Sequence, residues 1–356
     1  MAAARLPQPD PDNTGGGSMK TRLFTVILLC SIVVSLAANG ARDDAARQHE
    51  VVVYTYDSFI SEWGPGPELV KLFEAKTGLK CTMIDAGDGA QILSRAMLEK
   101  KAPQADVVIG IDNNQVQAAR KAEVLVPYKP AHADTAVPAE LRLSDDWLLI
   151  PYDWSYFAMI YDTASNVPAP TSLADLTKPE YAKKIILMDP RTSTPGLGFV
   201  AWTAAVFGDS YLDYWKALKP NVLTMAPGWS TGYGLFTSGE APLVISYTTS
   251  PAYHVEYGEG ARFQAVLFDE GHPIQIEAAA IVKGAPNKSG AELFIDFLIS
   301  EEAQRVIPLT QWMYPVNPAV ELPASYAAAP KAAKTVTVSN ETLSEAVDAV
   351  TALLAR

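Results

Sequence analysis

Trp229, Tyr233, Tyr247 and Tyr253 crowd one stretch of the chain, 228–254. Aromatic faces attract cations through the ring quadrupole. A short apolar strand, 243–247, ends directly in three small hydroxyl residues, Thr248, Thr249 and Ser250, and Pro251 suits the first turn of a helix. The first N–H groups of a helix lack intrahelical partners and sit at the positive end of its dipole, so this corner also suits a polar or anionic group. The combination fits a small, flat, cationic organic molecule, with or without phosphate. Each residue also has a plainer reading. Trp229 follows Gly228 and precedes Ser230, which reads as loop chemistry and would equally suit a packed loop anchor. Tyr247 would equally be a core tyrosine with a satisfied hydroxyl.

Two further places offer polar chemistry. Asp88 follows a turn and precedes a predicted helix over 90–100, where Asp usually serves as the cap; it can also accept from an exocyclic amine or pair with a cation. Ser193 and Thr194 stand in a Gly/Pro-rich turn before Pro195 and the next helix, as turn residues or as contacts for a phosphate or hydroxyethyl group. Arg191 reads as a partner of Asp189, and His254 as structural.

The elements that must hold these residues read as α/β. Strands at 51–56, 79–84 and 105–111 alternate with helices at 68–77, 90–100 and 113–121, which predicts a parallel sheet with right-handed crossovers. Residues 147–152 and 157–161 read as two separate strands, with a crossing between lobes around Asp153. A second α/β set follows through 268, and residues 272–283 lead back. The expected division is a leader and signal peptide at 1–40, the first part of lobe 1 at 41–153, lobe 2 at 154–268, and a return to lobe 1 at 269–356 with the C-terminal helices. The last of these, 341–354, carries an apolar stripe of Leu343, Val347, Val350 and Leu354. Two parallel or mixed sheets flanked by helices would leave a cleft between the carboxyl ends of their strands, where ligands of open α/β sheets bind.

Composition agrees. Of 356 residues, 49% are hydrophobic and 19% charged, as in a soluble globular chain with room for two cores. Met19, Lys20, Arg22 and the apolar run 23–36 form a secretory signal pattern, with cleavage after Ala37 or Ala38 and Met19 as the expected start. Without residues 1–37 the net charge moves from −12 to about −13, which argues against nucleic acid and anionic membranes. Cys30 lies in the signal, and Leu29 before it is too large for a lipidation site. Cys81 is then the lone mature cysteine, so no intramolecular disulfide is expected.

Seven strings in order carry a specific resemblance: VYTYDSF with WGPGP (53–67), DVVIGIDNN (106–114), DPRTSTPGLG (189–198), GWSTGYGLF (228–236), SYTTSPAYH (246–254), EGH (270–272) and WMYPV (312–316). Together, over roughly 50–320, the chain resembles the periplasmic thiamine-binding proteins of ABC thiamine importers. The resemblance implies a two-lobed type II periplasmic-binding fold and capture of thiamine or its mono- and diphosphate. It implies delivery to a membrane permease driven by a cytoplasmic ATPase, a monomer, and no cofactor or metal. It carries ligand contacts onto Asp88, Gly89, Ser193, Thr194, Trp229, Tyr247, Thr248, Thr249 and Ser250, and sets Tyr56, Trp63, Tyr253 and Trp312 at neighbouring cleft positions.

Two rival functions fit the same scaffold. A thiamine-degrading transferase would need a cleft nucleophile, commonly cysteine, and Cys81 falls in a predicted core strand. A ferric-ion binder would need clustered tyrosinate, carboxylate or His ligands, and the sequence around the expected cleft offers no adjacent Tyr pair.

Overall fold

The computed structural model describes residues 47–355; the leader, the signal segment with its cleavage site, and Cys30 lie outside the described residues. β1 (Glu50–Thr55) is buried along nearly its whole length and pairs in parallel with β2 (Lys80–Asp85) on one side and β3 (Val107–Asp112) on the other. Two helices make the crossovers. α1 (Gly66–Thr77) buries Leu69 and Phe73 and stops at Gly78, whose φ of 72° only glycine adopts cheaply. α2 (Gly89–Leu98) is capped by Asp88, with Gln91 completing a reciprocal capping box.

The two expected strands around Asp153 are one. β4 (Ile150–Asp162) runs unbroken for 13 residues. Its first half pairs with β9 (Ile274–Val282) in the first sheet. Its second half pairs with β7 (Leu243–Tyr247) and β8 (Phe263–Val266) in the second. The interruption read at Asp153 is an acidic residue inside a strand and not a chain break. Both halves have hydrogen-bonding neighbours, so the backbone stays extended through the acidic residue. The second sheet continues through β5 (Ile185–Met188) and β6 (Val222–Ala226), giving the order β2-β1-β3-β9-β4-β7-β5-β6.

Two hydrophobic cores flank this shared strand. The first gathers β1, β3 and β9 with Phe59, Phe73, Phe294 and Phe297. The second gathers β5 and β7 with α3 (Thr194–Phe207), Trp202, Trp215 and Phe236. The terminal helix, Asn340–Leu354, corrects the sequence expectation: it packs on the second core, not the first, with Leu343, Ala346 and Val350 buried there. The tail reaches it as a strap, in which His272 N–H donates to the Lys334 carbonyl and Val336 N–H to the His272 carbonyl. An apolar stripe specifies that a face is buried but not against which core, and the strap decides.

Candidate ligand-binding cleft

The cleft is built from the ends of these elements. α4 (Trp229–Thr237) begins at Trp229 itself, so this residue opens a helix and is not the loop residue expected. Its ring stacks on Tyr233 at 4.8 Å and 16°, one helical turn on, and its indole N–H donates to Ser246 Oγ at 2.8 Å. Trp63, half-exposed at the opposite lip, stands 6.2 Å from Trp229. Tyr247 ends β7 and stacks on Phe157 at 5.4 Å. Tyr253, on α5 (Ser250–Glu256), meets Trp312 edge to face at 5.3 Å.

These groups enclose a cavity of about 320 Å³. Of the residues proposed from sequence, Tyr56, Trp63, Asp88, Thr194, Trp229, Tyr247, Ser250, Tyr253 and Trp312 line it; Gly89, Ser193, Thr248 and Thr249 do not. The last two are fully buried behind the wall, where their hydroxyls meet Ser155 Oγ at 3.3 and 3.1 Å. Ser193 is buried at the start of α3. A Cβ at Gly89 would lie 2.7 Å from Thr194 Cγ2, so glycine permits close approach of α2 and α3. Arg191 pairs with Asp189, Nε to Oδ1 at 2.9 Å, and His254 is buried between Tyr233 and Glu259.

The two walls touch directly. Asp88 Oδ1 accepts from Gly89 N–H at 2.8 Å, and Oδ2 accepts from Trp229 N–H at 3.1 Å, so one carboxylate sits at the N-termini of two helices from opposite lobes. Ser230 Oγ donates to Asp57 at 3.1 Å, and Ala90 N–H to the Thr192 carbonyl at 3.1 Å. Burial pushes the Asp88 carboxyl up to about 6, against the opposing pull of Ser193 and the two backbone N–H groups.

Sequence reasoning missed the floor. Glu277 of β9 lines the cavity and is nearly buried. Its Oε2 accepts from Tyr152 at 2.6 Å and Tyr56 at 2.8 Å, and Oε1 from Gln275 at 2.9 Å. An acid alone within the apolar run 274–282 was the available signal, since Glu is rarely buried without partners. Tyr56 and Tyr152, far apart in sequence, bring their hydroxyls to 2.9 Å and form the tyrosine pair that the sequence concealed. Burial raises both phenols well above 10, which disfavours the tyrosinates an iron site needs. Among the described residues, no group of three or more His, Cys, Asp or Glu is arranged to hold a metal ion. Cys81 is buried in β2, burial pushes its thiol up to about 12, and it does not line the cavity.

The family model for the bacterial extracellular solute-binding protein matches residues 68–334. The chain is 40% identical over 313 residues to the thiamine-binding periplasmic protein of Brucella melitensis, covering 87% of this chain and 93% of that one. It is 40% identical over 286 residues to the thiamine-binding periplasmic protein of Escherichia coli, covering 80% and 86%. A solved periplasmic thiamin binding protein superposes with a TM-score of 0.79 at 37% identity, covering 86% of this chain and 96% of that one. With its two cores, shared strand and cleft, the chain belongs to the bacterial extracellular solute-binding protein family.

Proposed function

We propose that this protein captures thiamine, and its mono- and diphosphate, in the periplasm and hands it to the permease of an ABC importer. The observation that carries this reading is the composition of the cleft wall. Trp63, Trp229, Tyr247, Tyr253 and Trp312 supply faces, Asp88 and Glu277 supply negative charge, and among the described residues no Lys or Arg lines the cavity. A thiazolium ring desolvated among such faces gains about 2 kcal/mol per good aromatic contact. Two or three contacts supply about 4–6 of the roughly 12 kcal/mol of nanomolar binding, and Asp88, accepting from the exocyclic amine of the pyrimidine, adds specificity more than affinity. Any phosphate would lie towards the helix starts at Thr194 and Ser250, where N–H groups substitute for basic side chains.

The relatives' names support a binding protein over an enzyme. The position of Cys81 outside the cleft lining supports the same choice, because it leaves a transferase without its usual nucleophile. We read the protein as a monomer that takes no cofactor and closes by hinge motion of its lobes. Calorimetric titration of the mature chain with thiamine, thiamine monophosphate and thiamine diphosphate is the test. Saturable binding at submicromolar ligand with no release of free thiazole is the expected result. Turnover of thiamine by excess protein, or the absence of binding, overturns the reading.

A further inference from the structure

Below the aromatic wall, two carboxylates face each other across neighbouring strands. Glu277 on β9 is the register partner of Asp153 on β4, which puts their Cβ atoms about 5 Å apart. Both are buried, at 4% and 0% exposure. Their surroundings differ sharply. Glu277 accepts from Tyr56, Tyr152 and Gln275, and Gln311 Nε2 lies 3.4 Å from its Oε2. Among the described residues, neither Asp153 oxygen has a hydrogen-bond partner in good geometry, and the Gln311 amide is the one donor that acts on it. The groups acting on Glu277 are otherwise acidic, phenolic or amide: Asp88 faces it across the cavity, and Asp112 on β3 is its other register partner. Asp112 is engaged with the N–H and side-chain amide of Asn114.

Two ionised carboxylates this close in a dry site repel strongly, so the pair keeps one proton. The proton belongs where donors are fewest, on Asp153; the negative charge belongs where they converge, on Glu277. The directions of titration agree. Burial and then Glu277 raise Asp153 well above the ordinary carboxylate range. Glu277 is also raised by burial but is pulled back by Tyr152, Tyr56 and Gln275.

We propose that Glu277 is the fixed counter-charge that selects a cationic ligand at the floor of the cleft, held ionised by Tyr56 and Tyr152 and by a protonated Asp153 beside it. This inference rests on the reading of the cleft as a thiamine site. It assigns a fixed negative charge to β9, in addition to the attraction that the aromatic faces exert on a cation. Cation attraction by the rings alone would leave Glu277 with a purely structural part in tying β9 to β4.

A neutral isostere separates these roles. Replacing the thiazolium of thiamine by thiophene keeps the shape and removes the charge. Titrated calorimetrically, the wild-type mature chain binds thiamine at least about tenfold more tightly than the thiophene isostere. Glu277→Gln narrows that ratio severalfold, and the part that remains is the attraction of the cation by the rings and Asp88. Asp153→Asn, which makes the neutral form permanent, keeps the wild-type ratio. Equal wild-type affinity for the two ligands overturns the proposal without any variant, even where the Gln variant folds poorly. So does a Glu277→Gln protein, folded by its melting curve, that keeps the full ratio. Both of those outcomes leave thiamine binding intact. Failure of the wild-type chain to bind thiamine overturns the functional reading and this proposal with it.

Discussion

Trp229 does three things from one position: it starts α4, stacks on Tyr233, and offers its backbone N–H to Asp88 across the cleft. Only the ring is lost in Trp229→Ala, since the backbone donor remains. Its affinity for thiamine is expected to fall by about 2 kcal/mol, roughly thirtyfold, with little change in melting temperature because the ring is half-exposed. Titration and a thermal melt check this, and an unchanged affinity removes Trp229 from the site. At the same scale, His272 makes a pH prediction. Its Nε2 accepts from Phe268 N–H and its Nδ1 donates to the Phe157 carbonyl, both at 2.8 Å, which fixes the neutral ring. Burial holds its pKa below the ordinary 6.5. The folded state therefore resists protonation: this contribution to stability is complete above pH 6.5 and is lost as pH falls through the depressed folded value. Melting temperature should decline across that window, and His272→Gln should reduce the slope. A slope identical in the variant contradicts this assignment.

At the scale of elements, α2 and α3 approach because Gly89 has no side chain, and they lie on opposite sides of the cleft. A methyl group there meets Thr194, so Gly89→Ala holds the walls apart. The expected result is at least about a tenfold loss of affinity, an effect of the size overpacking produces at about 1–3 kcal/mol. Because α2 keeps its Asp88 cap, the helix itself should survive, and Gly89→Ala combined with Thr194→Ser, which removes the facing methyl, should recover binding. No recovery would place the loss elsewhere. Elements were the most legible part of the sequence. The β-α-β-α-β opening follows from local periodicity, the stop at Gly78 from its backbone freedom, and the cap at Asp88 from its place before 90–100. The continuity of β4 was not legible, because Asp153 mimics a break.

The molecule as a whole is two cores threaded by one strand, and what the sequence concealed belongs to this scale. Tyr56, Tyr152, Asp153, Glu277 and Gln311 come from four regions of the chain and meet only when β4 and β9 find their register. Thr248 and Thr249 follow the strand that ends at the cleft, and their hydroxyls meet Ser155 Oγ on β4. Likewise the terminal helix closes the second core although the chain has already returned to the first. Removing residues 338–356 should strip Leu343, Ala346 and Val350 from that core and lower thermal stability by several kcal/mol. A truncated chain that melts with the wild type contradicts the packing described. The central claim, an aromatic cleft that shuts on a thiazolium, is tested most directly by tryptophan fluorescence, because Trp63, Trp229 and Trp312 all line the cavity. The measurement is a thiamine titration of the mature chain after unfolding and refolding to strip prebound ligand. A saturable change at submicromolar thiamine, shifted roughly thirtyfold to higher thiamine in Trp229→Ala, is the predicted result; a refolded protein with no saturable response up to millimolar thiamine would contradict it.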